Sequence, residues 1–157
     1  MTLETARLIL KPKTLAEVRA DIEQMTAAER AQLSADWLAQ LENPAVSLWT
    51  LGFSVVLQSS NAIIGGCGFK GPAGDDGAVE IAYGLREEYQ GQGYASEAAA
   101  ALTRFALDHP HVKIVRAHTL SQVGASARIL TKCGFRLVGQ VVDPEDGPVW
   151  RWGIARV

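Results

Sequence analysis

Residues 79–96 read V-E-I-A-Y-G-L-R-E-E-Y-Q-G-Q-G-Y-A-S, and this stretch decides the fold. Its beginning, residues 78–85, is typical of a strand, and an Ala-rich helix is predicted over about residues 95–107. Gly91 and Gly93 lie where the loop becomes that helix, so backbone N–H groups point outward at the positive end of the helix dipole. Small residues let a phosphate approach these groups closely, and the stretch therefore predicts a pyrophosphate site.

Two well-defined phosphate motifs do not fit this stretch. A P-loop requires a Gly-Lys pair followed by Ser or Thr, and the sequence contains no Gly-Lys pair. A dinucleotide-binding fingerprint requires Gly or Ala where Ser96 stands and an acidic residue on the next strand, which residues 113–118 lack. Taken alone, the glycine pair is equally consistent with a flexible loop that ends in a capped helix.

Upstream of this stretch, the sequence predicts a strand, a helical region and a hairpin. Residues 4–11 alternate between apolar and polar positions, as in a strand. Residues 14–41 are rich in Ala, Glu, Gln and Leu, and a capping-box spacing at Thr26 starts a second helix after a first short one. Two apolar, β-branched runs, residues 51–57 and 62–69, predict the hairpin.

Downstream, the pattern returns to strand, helix and hairpin. Residues 113–120 predict a strand, and residues 125–132 predict a helix that Gly134 closes as a C-terminal cap. Residues 135–142 and 149–157 predict two strands, because the segment between them is rich in Pro and Gly. No internal repeat or linker is present, so we expect one α+β domain with a mixed, mostly antiparallel sheet.

Composition and charge exclude several classes of protein. Hydrophobic residues make up 48% and charged residues 20%, which is typical of a folded core rather than a disordered chain. With 15 basic and 17 acidic residues, no excess of positive charge marks a nucleic-acid or anionic-membrane partner. Cys67 and Cys133 indicate reduced thiols rather than a disulfide framework or zinc site. No secretory signal or apolar run of about 20 residues is found, so we expect a cytoplasmic protein.

The letters Q-x-x-G-x-A at residues 90–95 resemble the acetyl-CoA signature of the GNAT superfamily of N-acetyltransferases. Residues 4–10 and several positions within 117–135 resemble the ribosomal-protein N-terminal acetyltransferase (RimJ/RimL-like) branch. The resemblance implies a GNAT fold over residues 1–157, with about seven strands, about four helices and splayed central strands. It also implies an acetyl-CoA-dependent N-acetyltransferase that works by direct transfer in a ternary complex.

In that family, the pantetheine arm lies between the strands that correspond to residues 80–85 and 113–120, which a bulge in the first strand splays apart. By this resemblance, backbone groups of Ile81, Tyr83 and Leu85 pair with the arm, and the loop amides hold the pyrophosphate. The implied cofactor-binding residues are Ile81, Ala82, Tyr83, Leu85, Gln90, Gly91, Gln92, Gly93, Tyr94, Ala95, Ser96 and Ser126.

Acetyl transfer to an amine requires a proton acceptor, a donor for the oxyanion and a departing thiolate. The resemblance implies Glu80 as the base, directly or through water, whereas a solvated or salt-bridged glutamate is the plain alternative. A backbone N–H near Ile81 or Ala82 would meet the oxyanion. Ser126 is implied as the hydrogen-bond partner of the sulfur, and a serine that only caps its helix is the alternative.

Two positions depart from the family pattern. Leu130 stands where some relatives supply a tyrosine as the acid, and Val123 stands where the branch usually has an asparagine that contacts the cofactor. A valine side chain cannot make that hydrogen bond. These departures favour a rival hypothesis, in which the chain is a non-catalytic acyl-CoA-binding sensor or assembly module.

The acceptor is expected to be a primary amine, either a protein N-terminus or a small molecule. Residues 14–41 and the final turn are expected to recognise it, since they carry the least motif content. The acids of that turn, Asp143, Glu145 and Asp146, would suit a cationic acceptor or would simply be solvated.

The remaining polar and aromatic residues favour structural roles. The spacing of the histidines and cysteines matches no metal-ligand pattern, so no metal is expected, and His118 is interpreted as a structural or cleft-wall residue. Most of the four tryptophans are expected to close the core. A sheet edge or the final hairpin could pair between subunits, which leaves a monomer or a homodimer.

Overall fold

The strands of this protein form one mixed sheet. The computed structural model describes residues 1–144 and 146–156. The strands in these residues are β1 (Leu3–Glu4), β2 (Leu8–Pro12), β3 (Phe53–Leu57), β4 (Ile63–Phe69), β5 (Ala78–Leu85), β6 (Ile114–Leu120), β7 (Arg136–Asp143) and β8 (Gly147–Ala155). Their order in the sheet is β1-β2-β3-β4-β5-β6-β8-β7. Only β5 and β6 run parallel among these pairs, so the predicted mixed, mostly antiparallel sheet is confirmed.

Helices cover parts of the sheet and form the region before β3. In the described part of the chain they are α1 (Leu15–Glu23), α2 (Ala27–Ala31), α3 (Ala35–Leu41), α4 (Leu48–Leu51), α5 (Tyr94–Leu107) and α6 (Ala125–Lys132). A single 3-10 turn, Glu87–Tyr89, precedes the glycine loop. None of the described helices is long and apolar enough to cross a bilayer.

The described residues form six α-helices rather than about four, and three of them lie within the helical region, residues 14–41. Thr14 and Thr26 each begin a capping box, as predicted for Thr26. Ser34 then caps α3 by accepting a hydrogen bond from the N–H of Trp37. This third cap was not recognised in the sequence, and α4 occupies the position where the pattern predicted the start of a strand.

The strand predicted over residues 4–11 is two strands in the structure. The hydroxyl of Thr5 accepts a hydrogen bond from the N–H of Leu8 at 2.9 Å, and the N–H of Thr5 donates to the carbonyl of Leu8 at 2.9 Å. These bonds close a turn that folds β1 back antiparallel onto β2. The described residues therefore form eight strands rather than about seven, because a side chain closes a turn that alternation does not reveal.

The core lies between the sheet and α5. This helix buries a face of small residues together with one leucine: Ala98, Ala99, Ala101, Leu102 and Ala106. Small side chains let the helix axis approach the strands closely, and Leu102 fills the remaining space. The strand residues that are fully buried in the same cluster include Leu8, Leu10, Phe53, Val55 and Ile64.

Strands β5 and β6 separate soon after they begin. Among the described residues they pair only over residues 78–80 of β5 and 114–116 of β6. Beyond Glu80, β5 stays bonded to β4 and β6 stays bonded to β8, so the predicted splay is confirmed. The expected bulge in β5 is wrong, because its pairs with β4 run from Ile81 to Leu85 without a register shift. Each strand follows its own antiparallel neighbour instead.

The final hairpin closes the sheet at one edge. Strand β8 lies between β6 and β7 and pairs with both of them, which leaves β7 as the outer strand. The last strand was predicted to end at Val157, which lies outside the described part of the chain. Glu145, one of the acids singled out in the predicted final turn, also lies outside it.

We expect Leu102→Ala to lower the free energy of unfolding by about 2–5 kcal/mol, because the leucine is fully buried and its removal leaves a cavity. The matched control is Leu120→Ala, in which the same truncation is made at a side chain that is 65% exposed. Its loss should stay near 0.5 kcal/mol or less. Urea denaturation of both variants measures the difference, and equal losses would contradict the described packing of α5.

Candidate active site

Two cavities lie on opposite faces of the sheet, beside the opening between β5 and β6. Side chains alternate along β5, so Glu80 and Ala82 face one side while Ile81 and Tyr83 face the other. A cavity of about 860 Å³ lies on the side of Glu80, and a cavity of about 400 Å³ lies on the side of α5. Tyr83 lines both, so the two cavities meet beside this residue.

The smaller cavity begins at the N-terminus of α5. Gly91 and Gly93 adopt φ angles of 77° and 88°, a left-handed conformation that strains residues with a side chain. A Cβ added at Gly91 would meet no atom within 4 Å, so this side of the loop is open. Gly93 is the N-cap of α5, and no side chain in the described part of the chain caps this end. The amides of the first turn are therefore free to meet an anion.

The exposed edge of β5 supplies backbone groups to the opening. The carbonyl of Glu80 accepts a hydrogen bond from Lys70 and the N–H of Arg86 donates to Ile64, so these two residues direct their backbone toward β4. Because backbone groups alternate along a strand, Ile81, Tyr83 and Leu85 direct theirs toward the opening. These are the three residues that the family resemblance implied. The carbonyl of Leu85 already accepts a bond from the side chain of Gln90 at 3.0 Å.

Helix α6 forms the opposite wall of the smaller cavity. Ser126 lies on this wall and does not cap its helix, since Gly124 is the N-cap. Its hydroxyl lies near the Tyr83 phenol and influences the pKa of that group. Burial raises the pKa of Tyr83 above its ordinary value; Ser126 opposes this rise, and the Cys133 thiol adds to it. The two side chains thus meet at the inner end of the cavity.

Two basic residues of this wall were missed in the sequence. Arg128 and Lys132 lie one helical turn apart on α6 and both line the smaller cavity. With Ala125 and Ile129 they follow the i, i+3, i+4, i+7 spacing of one helix face. That spacing, counted from the start of the predicted helix, is the signal that would have found them.

Some predicted cofactor residues lie on the wall of the smaller cavity and others do not. Those on the wall are Tyr83, Leu85, Gln90, Gly91, Gly93, Ala95, Ser96 and Ser126. Ile81 is buried in the core and reaches the opening through its backbone. Ala82 directs its backbone toward β4 and lines the larger cavity. The side chain of Gln92 donates to the carbonyl of Glu88 at 3.3 Å, and the ring of Tyr94 packs under the guanidinium of Arg7.

Glu80 lies in the larger cavity among three basic side chains. Its carboxylate is 2.8 Å from Nζ of Lys70 and 3.0 Å from Nδ1 of His118. Arg151 donates from Nε to Nε2 of His118 at 3.1 Å. The four residues come from four different strands or strand ends, so the sheet itself assembles them. Glu80 was predicted as the base, whereas His118 was expected to be only a structural or cleft-wall residue.

The bond from Arg151 determines which nitrogen of His118 carries the hydrogen. A guanidinium is always a donor, so Nε2 must accept and the neutral ring carries its hydrogen on Nδ1. Nδ1 is buried and has no well-aligned hydrogen-bond partner among the described residues, although it lies 3.0 Å from Glu80. A small movement of the Glu80 carboxylate would align this bond.

The rest of the larger cavity comes from the regions expected to recognise the acceptor. Met25 and Trp37 belong to the helical region, and Asp146 belongs to the final turn. Trp37 donates from its indole to the carbonyl of Thr50 at 2.9 Å, which holds the ring in the wall. Of the other tryptophans, Trp152 is buried, as expected of a core residue.

The thiols have no obvious chemical role in these cavities. Burial raises the pKa of Cys67 to about 12, and this outweighs the opposite effect of Lys13. A thiol with so high a pKa is unreactive at neutral pH. Among the described residues, no group of three His, Cys, Asp or Glu side chains is placed to hold a metal ion.

Glu97 ties the first turn of α5 to the N-terminal strands. Its carboxylate accepts hydrogen bonds from the hydroxyl of Thr5, from the N–H of Arg7 at 2.8 Å and from Nε of Arg7 at 2.9 Å. Burial raises the pKa of Glu97, but the bonds from Thr5 and Arg7 outweigh it and hold the pKa below its usual range. The carboxylate form is therefore stabilised in the folded chain.

Residues 3–136 match the family described as the acetyltransferase (GNAT) domain. The chain belongs to the GNAT family. Among curated proteins it is similar to N-acetyltransferase p20 of Bacillus licheniformis, with 28% identity over 93 residues that cover 59% of this chain and 52% of p20. It is also similar to N-acetyltransferase YjdG of Bacillus subtilis, with 32% identity over 91 residues that cover 56% of this chain and 54% of YjdG. The matched region spans about half the length of these curated relatives.

The fold is shared with solved GNAT structures. One is RimL, a ribosomal L7/L12 alpha-N-protein acetyltransferase in complex with coenzyme A, with a TM-score of 0.72 and 17% identity over 99% of this chain and 98% of RimL. At this level of identity the likeness shows the fold alone.

The two departures from the GNAT pattern lie away from the cavity walls. Leu130 is fully buried in the core, so α6 places no acid at that position in the smaller cavity. Val123 precedes α6 with a side chain that is 79% exposed. Tyr83 of β5 places a phenol near Ser126 on the wall of the smaller cavity.

We expect Glu97→Gln to reduce stability at neutral pH and to match the wild type in acid. A depressed carboxyl pKa contributes stability above the unfolded pKa of about 4.5, and this contribution is lost as the pH falls through the lower folded value. The difference in the free energy of unfolding should therefore be constant above about pH 5.5 and shrink below about pH 4.5.

Urea denaturation at several pH values measures this difference. The control is Glu42→Gln, which removes an exposed carboxylate 3.5 Å from Arg19 and should stay within about 0.5 kcal/mol of wild type throughout. A Glu97→Gln difference that persists unchanged to pH 3 would contradict the assigned cause.

Proposed function

We propose that this chain is an acetyl-CoA-dependent N-acetyltransferase that moves an acetyl group to a primary amine by direct transfer in a ternary complex. The observation that carries the proposal is the opening between β5 and β6. The smaller, glycine-lined cavity and the larger cavity that holds Glu80 both lie beside it, and Tyr83 lines both cavities. A donor bound on one side and an amine bound on the other would meet beside Tyr83, which removes the entropic cost of a bimolecular encounter. In this proposal residues 1–157 work as a single domain.

The smaller cavity offers groups that suit the phosphates and the pantetheine arm of coenzyme A. The uncapped first turn of α5 offers amides for the pyrophosphate, and Arg128 and Lys132 add positive charge for the phosphates. Ile129 provides apolar wall for the pantetheine arm, and the free backbone edge of β5 offers partners for its amides. The chain carries a net charge of -2, so this local arrangement of donors replaces a globally basic surface.

The residues at the opening have the three roles that acetyl transfer requires. Acetyl-CoA supplies a thioester whose thiol is a tolerable leaving group, since free thiols titrate near about 8.5. In this proposal a backbone N–H of β5 near Ile81 or Ala82 donates to the acetyl oxygen. The hydroxyl of Ser126 lies on the wall of the smaller cavity, near Tyr83, and is the proposed hydrogen-bond partner of the sulfur.

Glu80 is the proposed base. It lies at the end of the paired segment, where the larger cavity reaches the opening. Lys70 now neutralises its carboxylate, but the lysine side chain is 56% exposed and can leave for solvent. An acceptor that arrives as an ammonium can take the place of Lys70 and give its proton to Glu80, directly or through water.

The acceptor in this proposal is a protein N-terminus or a small-molecule amine. A volume of about 860 Å³ accommodates either a short peptide end or a compact amine. The wall mixes acids and bases, with Asp76 paired to Arg116 at 3.1 Å, so it does not favour a strongly charged acceptor of one sign. The action of RimL on a ribosomal protein, as its name states, supports the first choice.

We expect acetyl-CoA to raise the melting temperature of the chain, because a ligand that binds only the folded state adds RT ln(1 + [L]/Kd) to its stability. Release of free thiol would then be followed with a panel of amines: peptides that begin with Ser or Ala, polyamines and aminoglycosides. Desulfo-CoA controls for binding without a reactive thioester. No thermal shift at millimolar acetyl-CoA would refute the proposal, and a shift without thiol release from any amine would favour the acyl-CoA-binding module instead.

We expect Glu80→Gln to lower kcat by about 100-fold or more while the Kd of acetyl-CoA changes less than about twofold, since the amide keeps the shape but cannot accept a proton. The isosteric control is Glu42→Gln at the exposed pair with Arg19. Initial rates between about pH 6 and 9 give kcat, and calorimetry gives Kd. A Glu80→Gln variant that keeps wild-type turnover across this range would exclude Glu80 as the base.

A further inference from the structure

Arg7 packs against the back of the glycine loop, on the side away from the smaller cavity. Its Nη1 donates to the carbonyl of Gln92 at 3.0 Å, and its guanidinium lies 4.3 Å from the centre of the Tyr94 ring. A Cβ added at Gly93 would come within 3.1 Å of Nη2 of Arg7. The side chain does not line the smaller cavity, so it can affect a ligand there only through the loop.

The bond from Arg7 to Gln92 determines where one amide points. A trans peptide unit is planar, and its C=O and N–H point in opposite directions. The carbonyl of Gln92 is held toward Arg7, so the N–H of Gly93 in the same peptide unit is turned to the other side. Gly91 and Gly93 line the smaller cavity on that side. The arginine therefore aims a backbone donor into the cavity without entering it.

Arg7 also controls the charge behind the loop. Glu97 lies in the first turn of α5, where an uncompensated carboxylate would oppose an anion bound to the same amides. Two bonds from Arg7, from its backbone N–H and from Nε, neutralise and fix this carboxylate. The fork of the guanidinium reaches Glu97 and Gln92 together, which a lysine ammonium cannot do with the same geometry.

We propose that Arg7 is a positioning residue for the anion-binding loop: it holds the peptide between Gln92 and Gly93 so that the Gly93 amide binds the pyrophosphate of coenzyme A. This inference rests on the proposed function, because it requires coenzyme A in the smaller cavity. It assigns the segment before β2 a part in cofactor binding, although that segment is more than 80 residues from the loop in sequence.

The test compares wild type with Arg7→Ala, Arg7→Lys and a matched control, Arg19→Ala, which removes an exposed arginine paired with Glu42. Calorimetry measures the Kd of coenzyme A. We expect Arg7→Ala to weaken binding by about 10- to 100-fold, as for the loss of one charge-assisted hydrogen bond. The Kd of Arg7→Lys should lie between the values of wild type and Arg7→Ala. Arg19→Ala should stay within about twofold of wild type.

A second measurement separates positioning from a loss of structure. In amide NMR spectra, inorganic pyrophosphate should shift the Gly93 resonance of wild type, whereas pantetheine, which lacks the pyrophosphate, should shift residues near Tyr83. We expect Arg7→Ala to lose the pyrophosphate response and to keep the pantetheine response. A purely structural role would weaken both responses together.

The outcomes distinguish this inference from the proposed function. If wild type binds neither coenzyme A nor pyrophosphate, both are overturned. If wild type binds coenzyme A and Arg7→Ala binds it within about twofold, only the role of Arg7 is overturned. Equal loss of the pantetheine and pyrophosphate responses in Arg7→Ala also overturns it, because the arginine would then support the fold rather than aim the loop.

Discussion

Backbone pairing between β5 and β6 stops after three residues, and the rest of the site depends on this interruption. Buried backbone N–H and C=O groups must find partners, and an open strand in the middle of a sheet leaves a row of them without a protein partner on one side. The backbone groups of Tyr83 and the N–H of Leu85 face the opening, whereas the carbonyl of Leu85 accepts a bond from the side chain of Gln90. A ligand with amides of its own can satisfy them, and in the proposed function the opening binds the extended arm of the cofactor in this way.

The two sides of the opening differ in the charged groups that line them. On the side of α5, backbone amides and two helix cations can face phosphates, and Arg7 screens the carboxylate of Glu97 behind them. On the other side, Glu80 is surrounded by Lys70, His118 and Arg151, which keep a carboxylate in place beside an apolar core. In the proposed function, these two arrangements hold an anionic donor and a basic acceptor close together on a chain whose net charge is only -2.

Local chemistry made much of the fold predictable. The bounds of β5 and α6 agree with the prediction, because each element is delimited by residues with strong local preferences. The glycine loop adopts the positive φ angles that only Gly tolerates easily. The turn at Thr5, the third cap at Ser34 and the helical turn at residues 48–51 were not recognised. Each depends on one side-chain hydrogen bond or on tertiary packing, which composition and periodicity do not report. The bulge expected in β5 is absent from its ladder with β4, since the splay follows from the neighbours of each strand.

The sequence by itself determined the strand, the glycine loop and the helix that together present free amides, because these features depend on residues that are adjacent in the chain. It also indicated Glu80 and Ser126 as candidates, through resemblance to a family. Only the tertiary structure decided which side chains meet them: His118 and Arg151 beside Glu80, Tyr83 beside Ser126, and Arg7 behind the loop. The physical reason is that these contacts follow from the order and register of strands far apart in sequence, and long-range pairing of this kind leaves no local pattern.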